Sequence, residues 1–514
     1  MLRQRSDLPG SVAVLPSDSE ELVVGIDVAT AEVRVICTDG TGRLLAEGRA
    51  PLPEPERPRP GWSEQDAAAW WPATTAALRE ATDALGPRAR AIFAVAVAAT
   101  SGTVVILDDD GSPLAPALLY DDQRAAAQAE SAAEAGAERW AALGFRPGAS
   151  SGLAKWGWLL GRPEISDRAG AVAHASDLVV AGLTGDRRPP TDWSHALKSG
   201  YDPARHEWAA EALTAVGVPS SLLPQVRPPS SSAGSVSREA AEATGLPAGC
   251  DVRLGMTDGC AGQVAAGADR PHRFVTVVGT TMVVKGATEE LVVDPSGAVY
   301  CHRHPGGWWL PGGASNTGGA AVADAFGNRD LAELDRRAQA HGPSASVGYP
   351  LRGTGERFPF VVSDAEGFWL EEPDGEIERY RAVLEGVAFL ERLAYAHLDH
   401  LGARPDNPVR SAGQGGRSRV WAAIRATVLD RPVAVAERAD TATGAAVLAA
   451  AGTLHADLPA AVSAMVEAGE EVAPVDAERE PLDGSYRRFV DALAERGWIG
   501  DDLRDAALGE RADT

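Results

Sequence analysis

Leu22 to Asp39 reads LVVGIDVATAEVRVICTD. Two apolar runs flank a short polar turn, which is the pattern of a β-hairpin. The same order of strand, Gly-Thr turn and strand returns far along the chain in RFVTVVGTTMVVK (Arg273 to Lys285). Lys285 closes this second segment; it could reach a phosphate, although a lysine at a strand end is usually solvated. Because the two segments repeat one pattern, we expect an α/β protein with two lobes of common ancestry.

Further segments predict where other strands, helices and loops lie. A strand interrupted by a Ser-Gly-Thr turn is predicted over Ala94 to Leu107. Ser63 begins a capping-box pattern, which predicts a helix from that residue. Leu223 to Ser237 is rich in Pro and Ser and predicts a loop or linker. Apolar spacing predicts a long helix over Glu376 to Leu398, and an Ala-rich run predicts a closely packed helix over Thr443 to Leu454.

Length and charge limit the class of protein. A chain of 514 residues fits about two to four domains and can bury a large core. Its net charge of -24 argues against nucleic-acid binding, because phosphate backbones are held by clustered Lys and Arg. Four cysteines without a CxxC pair fit a reduced, cytoplasmic protein. We find no signal-peptide pattern and no apolar run of ~20 residues, so we expect no membrane contact. Monomer and homodimer both stay open.

Two aspartates stand where phosphate chemistry needs a carboxylate. Asp27 ends the first apolar strand beside Thr30, where it could hold Mg²⁺ through water or cap a turn. Asp258 follows another apolar strand in a Gly-rich setting, before a helix of small residues. There it could accept a hydroxyl proton in phosphoryl transfer or serve as an ordinary helix N-cap. The Gly-Thr turns expose N–H groups that can cradle phosphate oxygens.

In chain order, these segments resemble the FGGY family of carbohydrate kinases, members of the actin/hexokinase/Hsp70 superfamily of ATP-binding folds. The resemblance runs from about Leu22 to beyond Gly452, nearly the whole chain. It implies two RNase H-like, actin-like lobes around a central cleft that binds ATP, Mg²⁺ and a small sugar. The motifs that carry it are GIDVAT (Gly25 to Thr30), PGWSEQD with WW (Pro60 to Trp71), ATSGT (Ala99 to Thr103), LLYDDQRA (Leu118 to Ala125), TDWSHALKSGYDP (Thr191 to Pro203), GMTDG (Gly255 to Gly259), GTTMVVK (Gly279 to Lys285), GGASNTGGA (Gly312 to Ala320), GQGGRS (Gly413 to Ser418) and GAAVLAAAG (Gly444 to Gly452).

The resemblance also implies roles for single residues. Asp258 would be the catalytic base and a ligand of Mg²⁺. Asp27 would help to hold Mg²⁺, through water, and the transferring phosphate, with Thr30 on the phosphate. Ser101 would bind sugar hydroxyls, together with Asp27 and Asp258. The implied nucleotide contacts are Gly279, Thr280 and Thr281 at the β- and γ-phosphates, Gly413, Gly415 and Gly416 at adenosine, and a loop near the nucleotide with Gly312, Gly313 and Asn316.

By the same resemblance the chain divides into four parts. Residues 1–21 would form a flexible N-terminal extension. Residues 22–265 would form an N-terminal lobe with the sugar site and the base, and residues 266–442 a nucleotide-binding C-terminal lobe. Residues 443–514 would form C-terminal helices that pack back on the lobes.

The turn Thr100 to Thr103 (TSGT) looks most like the D-ribulose kinase branch of the family, which is xylulokinase-like. We therefore expect a kinase that forms D-ribulose 5-phosphate, with D-xylulose or another ketose or polyol as the alternative acceptor. The first hairpin departs from the family's Asp-x-Gly-Thr pattern at Ala29, Ala31 and Glu32. These residues leave a further alternative open, a degenerate kinase that binds sugar or nucleotide without turnover.

Overall fold

Two mixed sheets dominate the computed structural model, which describes residues 21–436 and 438–509. The extension expected at residues 1–21 lies outside the described residues, except for Glu21. The strands up to Thr257 are β1 (Leu22–Val28), β2 (Glu32–Asp39), β3 (Leu44–Pro51), β4 (Glu64–Gln65), β5 (Ile92–Ala99), β6 (Val104–Leu107), β7 (Ala117–Leu118), β8 (Ala171–His174), β9 (Thr191–Asp192), β10 (Tyr201–Asp202), β11 (Glu207–Trp208), β12 (Val226–Arg227), β13 (Ser232–Ser235) and β14 (Asp251–Thr257).

The later strands build the second of the two sheets and a smaller hairpin. They are β15 (Phe274–Val278), β16 (Met282–Gly286), β17 (Tyr300–Arg303), β18 (Trp309–Ala314), β19 (Gly348–Glu356), β20 (Val362–Trp369), β21 (Val409–Ala412), β22 (Val433–Val435) and β23 (Glu470–Val472).

Helices cover the faces of both sheets. They are α1 (Trp70–Leu85), α2 (Ala126–Ala135), α3 (Ala137–Leu143), α4 (Gly152–Leu160), α5 (Pro163–Ser166), α6 (Ala175–Thr184), α7 (Trp193–Leu197), α8 (Ala210–Ala215), α9 (Arg238–Thr244), α10 (Asp258–Ala265), α11 (Ala320–Phe326), α12 (Leu331–His341), α13 (Glu376–His400), α14 (Arg419–Leu429), α15 (Thr441–Ala450), α16 (Leu458–Met465), α17 (Asp476–Glu495) and α18 (Asp501–Leu508). No helix among the residues described is long and apolar enough to cross a membrane.

The first sheet has six strands in the order β13-β14-β5-β1-β2-β3, and the second has seven in the order β17-β18-β16-β15-β21-β22-β23. Each sheet contains one of the two predicted hairpins, since β1 pairs with β2 and β15 with β16, both antiparallel. In each sheet a later strand then lies parallel to the first strand of the hairpin, β5 beside β1 and β21 beside β15. The expected α/β fold with two lobes is therefore confirmed.

Two local predictions were wrong because strand pairing overrides the local pattern. The helix predicted from Ser63 begins at Trp70, because Glu64 and Gln65 pair with β7 as a short strand. The predicted loop or linker Leu223 to Ser237 contains β12 and β13, and β13 is the edge strand of the first sheet. It does not separate the two sheets along the chain.

The long helix predicted from Glu376 is confirmed as α13, and the predicted Ala-rich helix is α15. An expected domain boundary between residues 442 and 443 falls inside α15. Almost every residue of α15 is buried, and the helix lies against β1, β5 and α10. Gly25 allows β1 to lie close to α15, because a Cβ there would lie 2.0 Å from the carbonyl oxygen of Ala442.

Candidate active site

Three parallel strands of the first sheet end at one edge and bring predicted site residues together. β1 and β5 are parallel with Asp27 opposite Ala98, and β5 and β14 are parallel with Ala99 opposite Thr257. The carboxyl ends of parallel strands are where ligand sites of α/β sheets form. Asp27, the Ser101 turn and Asp258 therefore share one edge, although they are far apart in the chain.

Asp27 is almost fully buried and forms an ion pair with Arg34, its cross-strand neighbour on β2. The Nη2 atom of Arg34 donates to Oδ2 of Asp27 over 2.5 Å. Burial raises the pKa of Asp27 to about 6, against the lowering effect of Arg34. The negative charges of Asp258 and Asp440 add to this rise of the Asp27 pKa, so both carboxylates lie near enough to act on Asp27. Asp440 caps α15 and was not predicted; an Asp before an Ala-rich helix was the available signal.

Glu32, which departs from the family pattern, is held by two arginines. Its Oε1 atom lies 3.6 Å from Nε of Arg34 and 3.5 Å from Nη1 of Arg49. Ala29 lies in the turn, where its N–H donates to the carbonyl of Glu32 over 3.1 Å. The added negative charge of Glu32 is thus compensated within the hairpin.

Asp258 is half-buried at the start of α10, where its own Oδ1 accepts the N–H of Gly259 over 2.7 Å. No group of three or more metal-ligating side chains occurs among the described residues. Mg²⁺ needs no such group, since it commonly uses one or two carboxylates together with waters and substrate phosphates. Asp27 and Asp258, which influence each other electrostatically, fit that kind of site.

The Ser101 turn is supported from below by a buried lysine. Nζ of Lys155 donates to the carbonyl of Gly102 over 3.0 Å and to that of Leu119 over 2.6 Å. Burial lowers the pKa of Lys155 to about 7. The hydroxyls of Thr100 and Thr103 are 2.6 Å apart across the turn. The enclosed Oγ of Ser101 has no hydrogen-bond partner among the residues that the structure describes.

Helix α7 braces the ends of β5 and β14. The Oγ atom of Ser194 accepts the N–H of Thr257 over 2.9 Å. The His195 ring contacts the carbonyl of Ala99 through Nε2 at 3.3 Å and Asp192 through Nδ1 at 2.5 Å. These residues fix the strand ends that carry Ser101 and Asp258. Sequence reasoning noted the segment only as a motif and missed its supporting role.

In the second sheet, too, parallel strands end at one edge, and there glycines follow the strand ends. β15 and β21 are parallel, with Val277 opposite Ala412, so Gly279 and Gly413 follow strands that end at one edge. Gly413 has φ of +84°, and a Cβ there would lie 2.6 Å from the carbonyl oxygen of Val278. The turn 279–281 also bonds to the start of α11, since Gly319 and Ala320 donate to the carbonyls of Gly279 and Thr280. Gly415 and Gly416 form a 3₁₀ turn beside them.

The loop predicted around Gly312, Gly313 and Asn316 was wrong in part. Gly312 and Gly313 lie inside β18, where a Cβ on Gly313 would collide with the ring of Phe358. Close packing requires these glycines. Asn316 does lie in a loop, but its Nδ2 donates to the carbonyl of Gly355 over 2.8 Å. That side chain holds β19 in place.

A buried ion pair that the sequence did not reveal supports the Gly413 turn. Arg425 is fully buried and makes a two-pronged contact with Glu391, with Nε–Oε2 at 2.6 Å and Nη2–Oε1 at 2.7 Å. Its Nη1 donates to Oγ of Ser411 over 2.6 Å. Ser411 leads directly into the turn, so the pair fixes the strand end from which the turn departs.

Lys285 was expected to be solvated but is half-buried beside Asp258. Its Nζ atom lies 3.4 Å from Sγ of Cys260 and 3.2 Å from the position of a Cβ on Gly259. Burial lowers its pKa, but Cys260, Tyr300 and Asp258 outweigh burial and raise the pKa above the ordinary value.

Known proteins share both halves of this arrangement. The profile of the FGGY family of carbohydrate kinases, N-terminal domain, matches residues 22–265, and that of the C-terminal domain matches residues 274–453. A xylulose kinase from Streptomyces rubiginosus is 31% identical over 491 residues, covering 93% of this chain and 98% of the relative. A glycerol kinase from Allorhizobium ampelinum is 28% identical over 471 residues, covering 83% of this chain and 89% of the relative.

The fold agrees with these sequence matches. The crystal structure of xylulose kinase from Rhodospirillum rubrum superposes with a TM-score of 0.82 at 29% identity. The superposition covers 93% of this chain and 99% of the other.

Proposed function

Since the chain belongs to the FGGY family of carbohydrate kinases, we propose that it transfers the γ-phosphoryl group of ATP to a terminal hydroxyl of a ketopentose. The observation that carries this proposal is the shared edge where Asp27, the Ser101 turn and Asp258 meet. Phosphoryl transfer requires mainly a correctly placed base, alignment of the two substrates and stabilisation of the charge on the phosphate. This edge supplies carboxylates for these roles.

Asp258 is the base of the proposed reaction. It orients the acceptor hydroxyl and takes its proton as the new O–P bond forms and the bond to ADP breaks. Its half-buried position at the start of α10 leaves the carboxylate accessible to a ligand. Asp27, held by Arg34, would hold Mg²⁺ through water together with Asp258. Bound Mg²⁺ supplies neutralisation of charge on the phosphate oxygens.

The nucleotide belongs on the second sheet in this proposal. Thr30 and the turn Gly279, Thr280 and Thr281 contact the phosphates, and Gly413, Gly415 and Gly416 line the adenosine pocket. The parallel strands that end at Gly279 and Gly413 support this assignment. We accordingly infer a sugar-binding lobe at residues 22–265 and a nucleotide-binding lobe at residues 266–442, with residues 443–514 packing back on both.

The acceptor is D-ribulose or D-xylulose in this proposal, and two observations point in different directions. The Ser101 turn (TSGT) favours D-ribulose, the acceptor predicted from the sequence. The relatives named xylulose kinases, one of them 31% identical over most of the chain, favour D-xylulose. The two ketoses differ only in configuration at one carbon, so a direct comparison separates them.

The test is an ADP-release assay with ATP and Mg²⁺ against D-ribulose, D-xylulose, L-ribulose, ribitol and glycerol. Asp258→Asn should lower turnover by about 1000-fold, because the amide cannot take the proton of the acceptor hydroxyl. ATP binding should be kept, because asparagine has nearly the same volume as aspartate. Asp251→Asn is the matched control, since Asp251 begins β14, the strand that ends at Thr257 directly before Asp258. It should stay within about twofold of wild type, because Asp251 lies away from the proposed base and forms a partly exposed ion pair with Arg253.

Each outcome has a clear reading. Turnover with one pentulose that Asp258→Asn abolishes supports both the activity and the base. Turnover with glycerol or ribitol alone would keep a kinase and discard the ketopentose. If no acceptor leads to ADP release although ATP still binds, the result would favour the degenerate, non-catalytic alternative raised by Ala29, Ala31 and Glu32.

A further inference from the structure

The distribution of lysine in this chain is uneven. Of its 48 basic residues only three are lysines, Lys155, Lys198 and Lys285, and the other 45 are arginines. All three lysines lie near the shared edge that carries Ser101 and Asp258. Because Arg serves at every other cationic position, the use of Lys here points to a need for a compact ammonium group, which the planar guanidinium cannot replace.

Lys155 has a structural explanation, and the other two lysines do not. Its ammonium group is buried and occupied by two backbone carbonyls. Nζ of Lys198 has no hydrogen-bond or ion-pair partner within the described part of the chain. Among the described residues, Nζ of Lys285 has a hydrogen bond only to the thiol of Cys260, a weak acceptor. Neither ammonium lies within ion-pair distance of a described carboxylate, although the chain has 72 acidic residues.

Both ammonium groups lie near β17, the strand that carries Tyr300 and His302. Nζ of Lys198 is 5.5 Å from the ring centroid of Tyr300, and its Cδ is 3.9 Å from the position of a Cβ on Gly102. Lys285 interacts electrostatically with Tyr300 and with Asp258. Burial lowers the pKa of His302, and both lysines lower it further, so both are close to that ring. Lys198 thus lies beside the Ser101 turn, and Lys285 lies beside the proposed base.

We propose that Lys198 and Lys285 bind an acceptor oxygen that carries no proton of its own, namely the carbonyl of a ketose or the carboxylate of a sugar acid. This rests on the proposed kinase function, because it places the acceptor beside Asp258. An ammonium group donates three hydrogen bonds and accepts none. A carbonyl or carboxylate oxygen only accepts, so it satisfies both lysines without a donor left over.

The proposal makes the pair a specificity determinant. A hydroxyl at the same place would direct its own O–H toward groups that cannot accept it, and an unpaired buried donor is costly. Sites built for one hydrogen-bonding pattern reject a close analogue that lacks it. The chain should therefore distinguish a ketose from the matching alditol, which differs only by reduction of the carbonyl to CH–OH.

The kinetic test compares D-ribulose with ribitol and D-xylulose with xylitol in wild type, Lys198→Met and Lys285→Met. We expect wild type to prefer the ketose by roughly 100-fold or more in kcat/KM. Each variant should lose about 10- to 100-fold with the ketose, the range for a hydrogen bond to a charged group. It should lose much less with the alditol, so the preference collapses. Equal losses on both acceptors would indicate a merely structural role and overturn the proposal.

A binding test needs neither ATP nor turnover. Protein labelled with ¹³C at lysine Cε gives only three lysine signals, which the Lys198→Met and Lys285→Met variants assign. Ketose should shift the signals of Lys198 and Lys285, leave that of Lys155 nearly unchanged, and produce larger shifts than the alditol. Unmoved signals with every acceptor, or equal shifts with ketose and alditol, would overturn the proposal. Shifts without turnover would instead count against the kinase function alone.

The oxygen could belong to the carbonyl of a ketose or to the carboxylate of a sugar acid. Binding of D-ribonate and of the ketoses at several salt concentrations distinguishes the two. A carboxylate bound by two ammonium groups should bind more weakly as ionic strength rises, because the attraction between full charges is screened. A neutral carbonyl should show little dependence on salt. Tighter, salt-dependent shifts with D-ribonate identify a sugar acid, and salt-independent shifts with D-ribulose or D-xylulose identify a ketose.

Discussion

Asp27 and Arg34 face each other across the first hairpin, with Nη2 of Arg34 2.5 Å from Oδ2 of Asp27. The carboxylate is almost fully buried, whereas about a third of the arginine side chain is exposed. The guanidinium is thus the countercharge that keeps a buried carboxylate in one orientation at the edge of the sheet. It also joins Asp27 to Glu32, which lies on its other side.

Arg34→Met should lower kcat/KM for ATP by about 100-fold or more, because removing one partner of a buried pair leaves an uncompensated charge. Steady-state ADP release measures the loss. Arg49→Met is the control, since Arg49 lies opposite Arg34 on β3 but does not contact Asp27. Similar losses in both variants would contradict a specific role for the Asp27–Arg34 pair.

Glu32→Gln should change kcat/KM for ATP by less than about threefold, since a half-exposed pair contributes only about 0–1 kcal/mol. Both nearby arginines already compensate the charge of Glu32. The measurement is the same ADP-release assay over a range of ATP concentrations. A tenfold gain in the variant would show that Glu32 repels the incoming phosphates and that the pairing does not neutralise it.

Glu391→Gln should lower the free energy of unfolding by about 3–5 kcal/mol, because Arg425 would stay buried without its countercharge. Urea denaturation followed by fluorescence gives this value. Arg392→Met serves as the comparison, since its partner Asp483 is partly exposed and the pair should contribute about 1 kcal/mol or less. A loss below that of the control would refute the supporting role of the buried pair.

Gly444→Ala should prevent correct packing of α15, because the new Cβ would lie 1.9 Å from the carbonyl oxygen of Ala261. Neither backbone can yield without moving a buried helix. Gly484→Ala is the opposite case, since that glycine lies in α17 and no described atom outside the neighbouring helix backbone lies within 4 Å of its Cβ position. It should raise the free energy of unfolding by up to about 1 kcal/mol through helix propensity. Thermal melting of both variants checks the pair of expectations.

His304 should make the protein sensitive to mild acid. Burial lowers its pKa from 6.5 to about 4. As the pH falls through this window, the unfolded chain binds a proton before the folded chain does, so folding stability decreases. The full shift corresponds to about 3 kcal/mol, developed between pH 6.5 and pH 4 and constant below. His304→Leu should flatten the slope of unfolding free energy against pH there, and an unchanged slope would count against this origin.

The parts of the fold that sequence reasoning predicted are those with a local pattern. The two hairpins combine apolar alternation with a Gly-Thr turn, and both form as expected. α13 shows apolar spacing over most of its length and was also predicted. The predictions for Ser63 and for the segment Leu223 to Ser237 were wrong for the same reason. Their conformation is decided by strands elsewhere in the chain, and no local pattern reports such a partner.

The candidate site shows the same division. Asp27 and Asp258 could be found because each follows an apolar strand, and strand ends carry function in parallel sheets. The support from Ser194 and from the Arg425–Glu391 pair could not be found, because those contacts join segments remote in the chain. Lys285 was misjudged for a similar reason: a strand-end lysine is exposed unless another element covers it, and here α10 does.

α15 has a consequence for how the protein is made. The helix covers the face of β1 and β5 that carries Val23, Ala94 and Ala96, yet it follows nearly all of the second sheet in the chain. Synthesis proceeds from the amino end, so the first sheet leaves the ribosome long before its covering helix exists. That face stays open to water, chaperones and other nascent chains until residue 450 has emerged. Maturation of the first sheet is thereby delayed until the second sheet's strands up to β22 and then α15 have been translated.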